Sequence, residues 1–301
     1  MSGPIKGTIA ISGASGFVGS HLSRVLQAEG WTVISLGRQD FSGDNQRLAN
    51  RLQGVQAIIN LAGAPILRRW SPAYKKTLAA SRAGVTRQLV TALATLREAE
   101  RPGLFISTSA VGYYAAGRRH TEDDHLQADG FLGQLAKDWE QEAWRAQGLG
   151  IRTVVFRLGV VLGPGGGALA QMLPAFRLGL GGTIGNGSQA FSWIHRDDLI
   201  RAYRAAIADP GWEGVYNLTA PEVASNATLT RALGSALGRP TWLPVPAWLL
   251  TLVFGEAASV LTEGQEVIPK RLLAAGFQFS FATIEQAVRH CLEPAQPLIP
   301  N

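Results

Sequence analysis

The sequence contains very little cysteine, with Cys291 as the single thiol among 301 residues. One thiol excludes a framework of internal disulfides, on which many small secreted domains depend for stability. Cys291 lies in an apolar pattern that is typical of a terminal helix, so we interpret it as a small buried hydrophobic residue. A hydrophobic core must therefore stabilise the fold, and the chain is long enough to bury a sizeable one.

Long uninterrupted apolar runs are also missing. The most apolar stretch, residues 242–261, contains Pro244, Pro246 and Glu256, and its unbroken part is too short to cross a bilayer. We interpret this stretch as the core of a lobe or as a dimer surface, so a homodimer is one possible assembly. No targeting pattern opens the sequence, and we expect a cytoplasmic protein without a membrane partner.

Acidic residues are the minority among the charged ones. The chain has 28 Lys and Arg against 22 Asp and Glu, a formal net charge of +6 that suits anionic ligands. The basic residues occur as short pairs, such as Arg68-Arg69 and Lys75-Lys76, without the interleaved aromatic residues of an RNA-binding surface. Solvated faces explain these pairs better, so we expect no nucleic-acid partner.

Strand and helix patterns alternate through the first part of the chain. An apolar run at 5–12 leads into a glycine-rich turn, helically spaced apolar residues follow, and a second apolar run begins at Trp31. Further strand patterns lie at 55–61, 104–109 and 153–158, and further helix patterns at 84–98 and 131–147. This alternation predicts an α/β fold with a doubly wound parallel sheet of the Rossmann type and helices on both faces.

The pattern changes after about residue 160. Glycine-rich irregular stretches precede a strand pattern, a helix pattern at 227–237 with Asn226 as candidate cap, and a final helix. We predict a cofactor-binding Rossmann domain over 1–160, to which segments near 190–220 return. A smaller C-terminal α/β lobe over 161–301 would hold the substrate.

Three glycines mark the first turn. Gly13, Gly16 and Gly19 follow the first predicted strand and open the first predicted helix. Glycines at this spacing let the backbone turn tightly and approach a pyrophosphate, and the helix N-terminus adds N–H donors and partial positive charge. An ordinary glycine-rich turn is the alternative. The neighbouring strand, helix and second strand favour a dinucleotide site.

The end of the second predicted strand distinguishes NADP from NAD. A carboxylate there would bind the ribose 2′-hydroxyl of NAD, whereas an arginine would accommodate the 2′-phosphate of NADP. Arg38 comes first and can pair with phosphate through two hydrogen bonds. Asp40 could serve the hydroxyl if the strand ends two residues later, and Arg38 could be a solvated loop cation. We predict NADP as the cofactor, with NAD possible.

Several motifs resemble those of the extended short-chain dehydrogenases/reductases. The glycine turn, the Asn60-Leu61-Ala62-Gly63 element and the serine-rich strand end at 107–114 each match a family element. Other segments resemble an atypical subgroup called NAD(P)-dependent epimerase family proteins, some labelled cell-division inhibitor-like, which has a small C-terminal domain of unknown function. These segments are 157–163, 165–167, 176–182, 193–199, 263–265 and Pro269.

The resemblance implies roles for cofactor-binding residues. Arg38 would lie near the adenosine ribose, and Ser109 would face the nicotinamide. The residues implied to hold the pyrophosphate are Gly13, Ser15, Gly16, Phe17, Val18 and Gly19, and those implied to line the adenine-side wall are Leu61, Ala62 and Gly63.

The catalytic positions depart from the family pattern. The family places Tyr-x-x-x-Lys on the helix after the serine strand, where the lysine lowers the pKa of the tyrosine and contacts the nicotinamide ribose. Lys137 fits the lysine position, although it could be an exposed helix charge, but Gly133 stands where the tyrosine is expected. Tyr113 or Tyr114, just beyond Ser109, could replace it as acid/base or could only form a wall.

Residues at or beyond other predicted strand ends are weaker candidates for the substrate pocket. They are Arg157, Trp193, His195 and Asn217. His195 could transfer a proton, but in the family this segment more often organises a turn and a helix start. The other histidines show no metal-ligand spacing with one another or with Cys291, so we predict no metal site.

The residues and the resemblance together favour an NADP-dependent oxidoreductase or nucleotide-sugar-type epimerase. Such an enzyme would move a hydride to or from a small carbonyl or alcohol substrate. Ser109 would polarise the substrate oxygen, one of the two tyrosines would exchange the proton, and Lys137 would orient the ribose. The alternative is an NADP-binding regulatory or scaffold protein with little turnover, which the glycine at position 133 suggests.

Overall fold

A computed structural model describes residues 6–293 of the chain. Its strands are β1 (Gly7–Ser12), β2 (Trp31–Leu36), β3 (Ala57–Asn60), β4 (Leu104–Ala110), β5 (Arg119–His120), β6 (Arg152–Leu158), β7 (Val160–Leu162), β8 (Ala190–Phe191), β9 (Trp193–His195), β10 (Gly214–Leu218), β11 (Ala224–Ser225) and β12 (Glu266–Val267). Its α-helices are α1 (Phe17–Ala28), α2 (Asn45–Leu52), α3 (Pro72–Ala79), α4 (Val85–Ala94), α5 (Gly130–Trp144), α6 (Gly167–Arg177), α7 (Arg196–Ala208), α8 (Asn226–Leu237), α9 (Ala247–Phe254), α10 (Ser259–Thr262), α11 (Lys270–Ala274) and α12 (Ile284–Leu292).

The chain forms two compact units, each assembled from separate stretches of sequence. The first unit takes the described parts of Met1–Tyr113, Leu126–Arg157 and Ile200–Tyr216. The second takes Tyr114–His125, Leu158–Leu199 and the described part of Asn217–Asn301.

A six-stranded sheet in the order β10-β6-β4-β3-β1-β2 dominates the first unit. Strand β1 pairs in parallel with β2 and with β3, and β3 pairs in parallel with β4. The chain places β2 on one side of β1 and then adds β3, β4, β6 and β10 on the other side. The carboxyl ends of β1 and β3 therefore lie side by side at the point where the strand order changes direction. Such a switch point is where ligands bind in open α/β sheets. The predicted doubly wound Rossmann-type fold is confirmed.

Burial explains why the central strands read as continuous apolar runs. Ile9, Ile11, Ile58 and Ile59 on β1 and β3 are all fully buried, as expected for parallel strands covered on both faces. Residues from α2, α4 and α5 join the sheet in one core cluster, which includes Leu48, Leu52, Ile58, Leu89, Leu93, Phe105, Ala143 and Val155.

The second unit has a smaller core and short strand pairs. Strands β7 and β9 pair in parallel, β8 pairs antiparallel with β11, and β5 pairs in parallel with β12. Its core cluster includes Leu162, Leu169, Phe176, Trp193, Leu229, Leu233, Ile284 and Val288. Cys291 is buried beside them, as its sequence pattern predicted, and burial raises the pKa of its thiol to about 12.

Two local details differ from the sequence expectations. Ser225 caps α8, because its hydroxyl accepts the Thr228 N–H, so the prediction that Asn226 is the cap was wrong. Asn226 instead accepts the Ile184 N–H through its side-chain oxygen. The helix predicted over 84–98 ends at Ala94 and is preceded by a π-helical segment, Ala80–Gly84.

Within residues 6–293, no helix has both the length and the hydropathy to cross a bilayer.

Candidate cofactor and catalytic site

The turn between β1 and α1 requires glycine at particular positions. Gly13 has a φ of +71°, and a Cβ atom there would lie 2.7 Å from the Leu61 carbonyl oxygen. A Cβ atom at Gly19 would lie 2.2 Å from the Gly13 carbonyl oxygen. The backbone can therefore follow this path only without side chains at both positions.

The N-terminus of α1 is suited to an anion. The helix begins at Phe17 after Gly16, and among residues 6–293 no side chain caps this end and no acidic residue lies in its first turn. No acidic side chain in the first turn therefore competes for the backbone N–H groups and the positive end of the helix dipole. Ser15 and Gly16 are exposed, and Val18 is half-buried. This geometry fits a pyrophosphate.

Arg38 and Asp40 occupy different environments after β2. Asp40 is buried, its carboxylate accepts the Gly37 N–H at 2.8 Å, and it pairs with Arg51. Arg38 is exposed at the start of a short 3-10 helix that follows the strand. The carboxylate that could have served a ribose hydroxyl is thus engaged by Gly37 and by Arg51 on α2.

Hydrogen bonds fix the carboxyl ends of β1 and β3. The Ser12 hydroxyl donates to the Asn60 side-chain oxygen at 2.5 Å, and the Asn60 amide donates to the Thr86 hydroxyl at 2.7 Å. Leu61, Ala62 and Gly63 continue from this strand end. The approach of Leu61 to Gly13 brings this predicted wall against the glycine turn.

Arg82 is a charged residue near this wall that the sequence did not single out. Its guanidinium donates to the Ala64 carbonyl oxygen at 2.9 Å and lies 3.3 Å from where a Cβ atom of Gly63 would be. Burial lowers the pKa of Arg82 to about 10. Arg82 belongs to the π-helical segment, which often marks functional sites but has no clear sequence signal.

A buried network surrounds Ser109 at the end of β4. The Ser109 hydroxyl donates to the Glu140 carboxylate at 2.7 Å, and Arg157 donates to both oxygens of that carboxylate at 2.8 and 2.7 Å. The Arg157 guanidinium also lies 3.5 Å from the centroid of the Tyr113 ring. Ser109 and Arg157 thus meet at Glu140, and Arg157 also contacts Tyr113. The sequence analysis named these three residues for separate reasons but missed Glu140.

Position 133, where the family pattern has a tyrosine, has no room for a side chain in this structure. A Cβ atom at Gly133 would lie 1.9 Å from the Ala128 carbonyl oxygen, so a side chain cannot enter there without moving the backbone. Gln127 donates to the Gly133 carbonyl oxygen at 2.9 Å, and the Ala128 N–H donates to the Tyr113 carbonyl oxygen at 2.8 Å. Residues 127–128, which pack against Gly133, are therefore hydrogen-bonded to Tyr113 as well.

The two candidate tyrosines have different surroundings. Tyr114 is fully buried in the second unit, where its hydroxyl donates to the Asn217 side-chain oxygen at 2.9 Å and its ring stacks on His120. Tyr113 is half-buried in the first unit. Lys137 is exposed on α5, three residues before the buried Glu140.

Trp193 and His195 lie in the interior of the second unit, both fully buried. The His195 Nδ1 accepts the Asp197 N–H at 3.1 Å, so its Nε2 carries the proton and donates to the His290 Nδ1, 3.1 Å away. Burial lowers the pKa of His195 to about 4.

Among residues 6–293, His195, Asp197 and His290 form a group whose potential ligand atoms lie within 4.8 Å of one another. The sequence analysis found no metal-ligand spacing for His290, because 95 residues separate the two histidines.

A pocket of about 490 Å³ opens in the second unit. Its lining is rich in polar side chains and includes none of the four predicted pocket residues. The lining residues are Ala116, Gly117, Arg118, Ser188, Gln189, Ala190, Thr262, Glu263, Gly264 and Glu266.

Two family models match the chain. The model described as "NAD dependent epimerase/dehydratase family" matches residues 9–219, and a "Domain of unknown function (DUF1731)" model matches residues 245–291. The two matches cover the glycine turn and the C-terminal part of the second unit.

Relatives of similar length align with almost the whole chain. The chain is 37% identical to an epimerase family protein SDR39U1 homolog, chloroplastic, of Arabidopsis thaliana, over 95% of this chain and 87% of that protein. It is 39% identical to the mouse epimerase family protein SDR39U1, over 93% and 98%. The crystal structure of human epimerase family protein SDR39U1 (isoform 2) with NADPH matches with a TM-score of 0.86 at 36% identity, over 94% of this chain and 98% of that one. By its sequence and its fold, this chain belongs to the NAD dependent epimerase/dehydratase family.

Proposed function

We propose that the chain binds NADP and catalyses hydride transfer to or from a small carbonyl or alcohol substrate, as a reductase or a nucleotide-sugar-type epimerase. The observation that carries this proposal is the glycine turn, where side chains at Gly13 and Gly19 would collide with backbone beside the N-terminus of α1. The NADPH in the human relative's structure supports the same cofactor.

Arg38 selects NADP in this proposal. Its exposed guanidinium would pair with the 2′-phosphate, whereas the Asp40 carboxylate is occupied by Gly37 and Arg51 and would not reach a ribose hydroxyl. Arg82 adds positive charge on the Gly63 side of the site. NAD would bind more weakly because it lacks the group that Arg38 recognises.

When bound, NADP supplies or accepts the hydride. Tyr113 is our choice for the acid/base, because it is half-buried beside Ser109's network, whereas the Tyr114 hydroxyl is buried on Asn217. Arg157 lies over the Tyr113 ring and positions it. Lys137, one helical turn after Gly133, stays a prediction as the ribose contact.

Ser109 has a more specific role than the sequence suggested. Since its proton is directed at Glu140, its oxygen presents lone pairs and would accept a hydrogen bond from a substrate hydroxyl. The Glu140 and Arg157 pair holds the serine in that orientation. We therefore expect a substrate with a hydroxyl group at or beside the reacting carbon.

The experiment for this proposal follows the nicotinamide absorbance of NADPH with a panel of sugars, nucleotide sugars, aldehydes and ketones. A substrate-dependent loss of absorbance is expected for a reductase. For an epimerase, product analysis should show an inverted carbinol without net cofactor consumption. Tyr113→Phe should lower kcat by about 10²- to 10⁴-fold, with Tyr114→Phe as the matched comparison.

The alternative function is an NADP-binding regulatory or scaffold protein. Gly133 favours it, because the backbone of Ala128 closes the space that the family's tyrosine would occupy. Tight NADPH binding without turnover across the whole panel would support this alternative and contradict the enzyme. A cytoplasmic location and a homodimer remain predictions.

A further inference from the structure

Large apolar side chains are exposed on two neighbouring segments of the second unit, 178–185 and 240–254. The Thr183 carbonyl oxygen accepts the Val245 N–H at 2.7 Å, and Gly182 forms a bridge with Trp242. Eight large side chains on these segments are between 39% and 80% exposed. We call them the apolar face: Leu178, Leu180, Trp242, Leu243, Trp248, Leu249, Leu252 and Val253.

Helix α9 is the unusual part of the apolar face. Its eight residues, AWLLTLVF, include no charged side chain, and in the described chain none of them is buried. A helix that is hydrophobic on all sides normally lies inside a protein or in a membrane. This one is about 12 Å long, which is far too short to cross a bilayer. It therefore suits an apolar environment that covers it from several sides at once.

The charges at the edge of the apolar face are mostly positive. Neither segment contains a charged residue, but Arg177 and Arg239 directly precede them and are both exposed. The segments that follow the two arginines approach one another, because the Pro240 ring is 3.8 Å from where a Cβ atom of Gly179 would be. Glu256 lies beyond the far end of α9, and the whole chain has a net charge of +6. An anionic surface complements this arrangement.

We propose that the apolar face docks on the surface of a lipid bilayer that contains anionic lipids, which departs from the sequence-based expectation of no membrane partner. Helix α9 would lie along the interface, its Trp and Leu side chains at the boundary between headgroups and acyl chains, and Arg177 and Arg239 would contact the headgroups. A second copy of this chain suits the face less well. It would cover only one side of a helix that is apolar all round.

The test uses the full chain and two kinds of vesicle, pure phosphatidylcholine and an equal mixture of phosphatidylcholine and phosphatidylglycerol. We expect co-sedimentation and a blue shift of tryptophan emission with the mixed vesicles, and much weaker binding to the neutral ones. Trp248→Glu/Leu252→Glu should lower the partition coefficient at least about tenfold. Leu273→Glu, at a site that is 47% exposed on the short helix α11, is the matched control and should bind like the wild type.

A separate double variant tests how much the charges of Arg177 and Arg239 contribute to vesicle binding. Arg177→Gln/Arg239→Gln should weaken binding to the mixed vesicles about fivefold per arginine, and should leave binding to neutral vesicles unchanged. Unaltered NADPH affinity and thermal midpoint show that each variant is folded. If the double glutamate variant does not fold, Leu252→Gln against Leu273→Gln serves the same comparison.

Three results would overturn the proposal. They are no binding to mixed vesicles, equal binding by the glutamate variant, or sedimentation equilibrium that shows a dimer which the glutamate variant dissociates. The last result would assign the face to a second copy of the chain.

Discussion

At the scale of single residues, the cofactor preference depends on which side chains after β2 are already engaged. Asp40 is buried and bonded to Gly37 and Arg51, and Arg38 is exposed. Sequence spacing alone left both residues as candidates for the ribose contact. Because the Asp40 carboxylate is buried and Arg38 is exposed, Arg38 is the better candidate.

Arg38→Ala should weaken NADPH binding about 10- to 150-fold, which is the contribution of a charge-assisted hydrogen bond of about 1.5–3 kcal/mol. NADH affinity should change little, because NADH lacks the 2′-phosphate. Calorimetric titration of each cofactor measures both effects, and Arg24→Ala, an exposed arginine on α1, is the control. Equal losses for both cofactors would contradict the phosphate contact.

Glu140→Gln should destabilise the fold by about 3–5 kcal/mol, because it leaves the buried Arg157 cation without its carboxylate. Urea unfolding measures the change in the free energy of unfolding. Glu142→Gln, on the same helix but paired with two more exposed arginines, should cost about 1 kcal/mol or less. Similar losses at both sites would show that the buried pair has no special role.

At the scale of secondary structure elements, α5 lies too close to the preceding loop for a side chain at position 133. Gly133→Ala should therefore destabilise the protein by about 1–3 kcal/mol through overpacking. Gly84→Ala is the control, because a Cβ atom there meets its nearest neighbours at 3.8 Å. It should be neutral or stabilising. A neutral Gly133→Ala would mean that the loop moves easily and that the tyrosine's space is accessible.

Strand β9 ends, directly before α7, in a histidine whose burial affects stability. Because the pKa of folded His195 is lowered to about 4, below its usual 6.5, the unfolded chain binds the proton more readily. The contribution of neutral His195 to the free energy of unfolding is complete above pH 6.5. It is lost as the pH falls towards 4, and the loss is up to roughly 3 kcal/mol. Urea unfolding at pH 7 and pH 5 should show a smaller loss for His195→Gln than for the wild type. His125→Gln, at an exposed site, should keep the wild-type loss.

The sequence predicted elements whose signals are local. The order β1, glycine turn, α1, β2 follows from apolar runs and three glycines, and it is confirmed. The π-helical segment Ala80–Gly84 could not be predicted, because nothing in its residues distinguishes it from the α-helices on either side. Helix ends that depend on tertiary packing, such as that of α4, were also missed.

The sequence could not predict contacts between distant residues. Glu140 reads as one charge among several on α5, and only the fold places it between Ser109 and Arg157. His195 and His290 belong to different elements and meet only in the core of the second unit. Such pairings depend on packing, for which one sequence has no direct signal.

At the scale of the whole molecule, the features used in the proposals are divided between the two units. The first unit contains the glycine turn, Arg38 and the Ser109 network, and the second contains the polar pocket and the apolar face. The proposed function rests on the features of the first unit. All of it depends on the glycine turn binding a dinucleotide.

Calorimetric titration of the purified protein with NADPH, beside the Gly13→Ala variant, tests that claim most directly. The account predicts saturable 1:1 binding by the wild type, at least tenfold tighter than for NADH, and loss of binding in the variant. In that variant the new methyl group would meet the Leu61 backbone at a φ of +71°. Wild-type protein that takes up neither NADPH nor NADH, or a variant that binds NADPH as well as the wild type, would contradict the account.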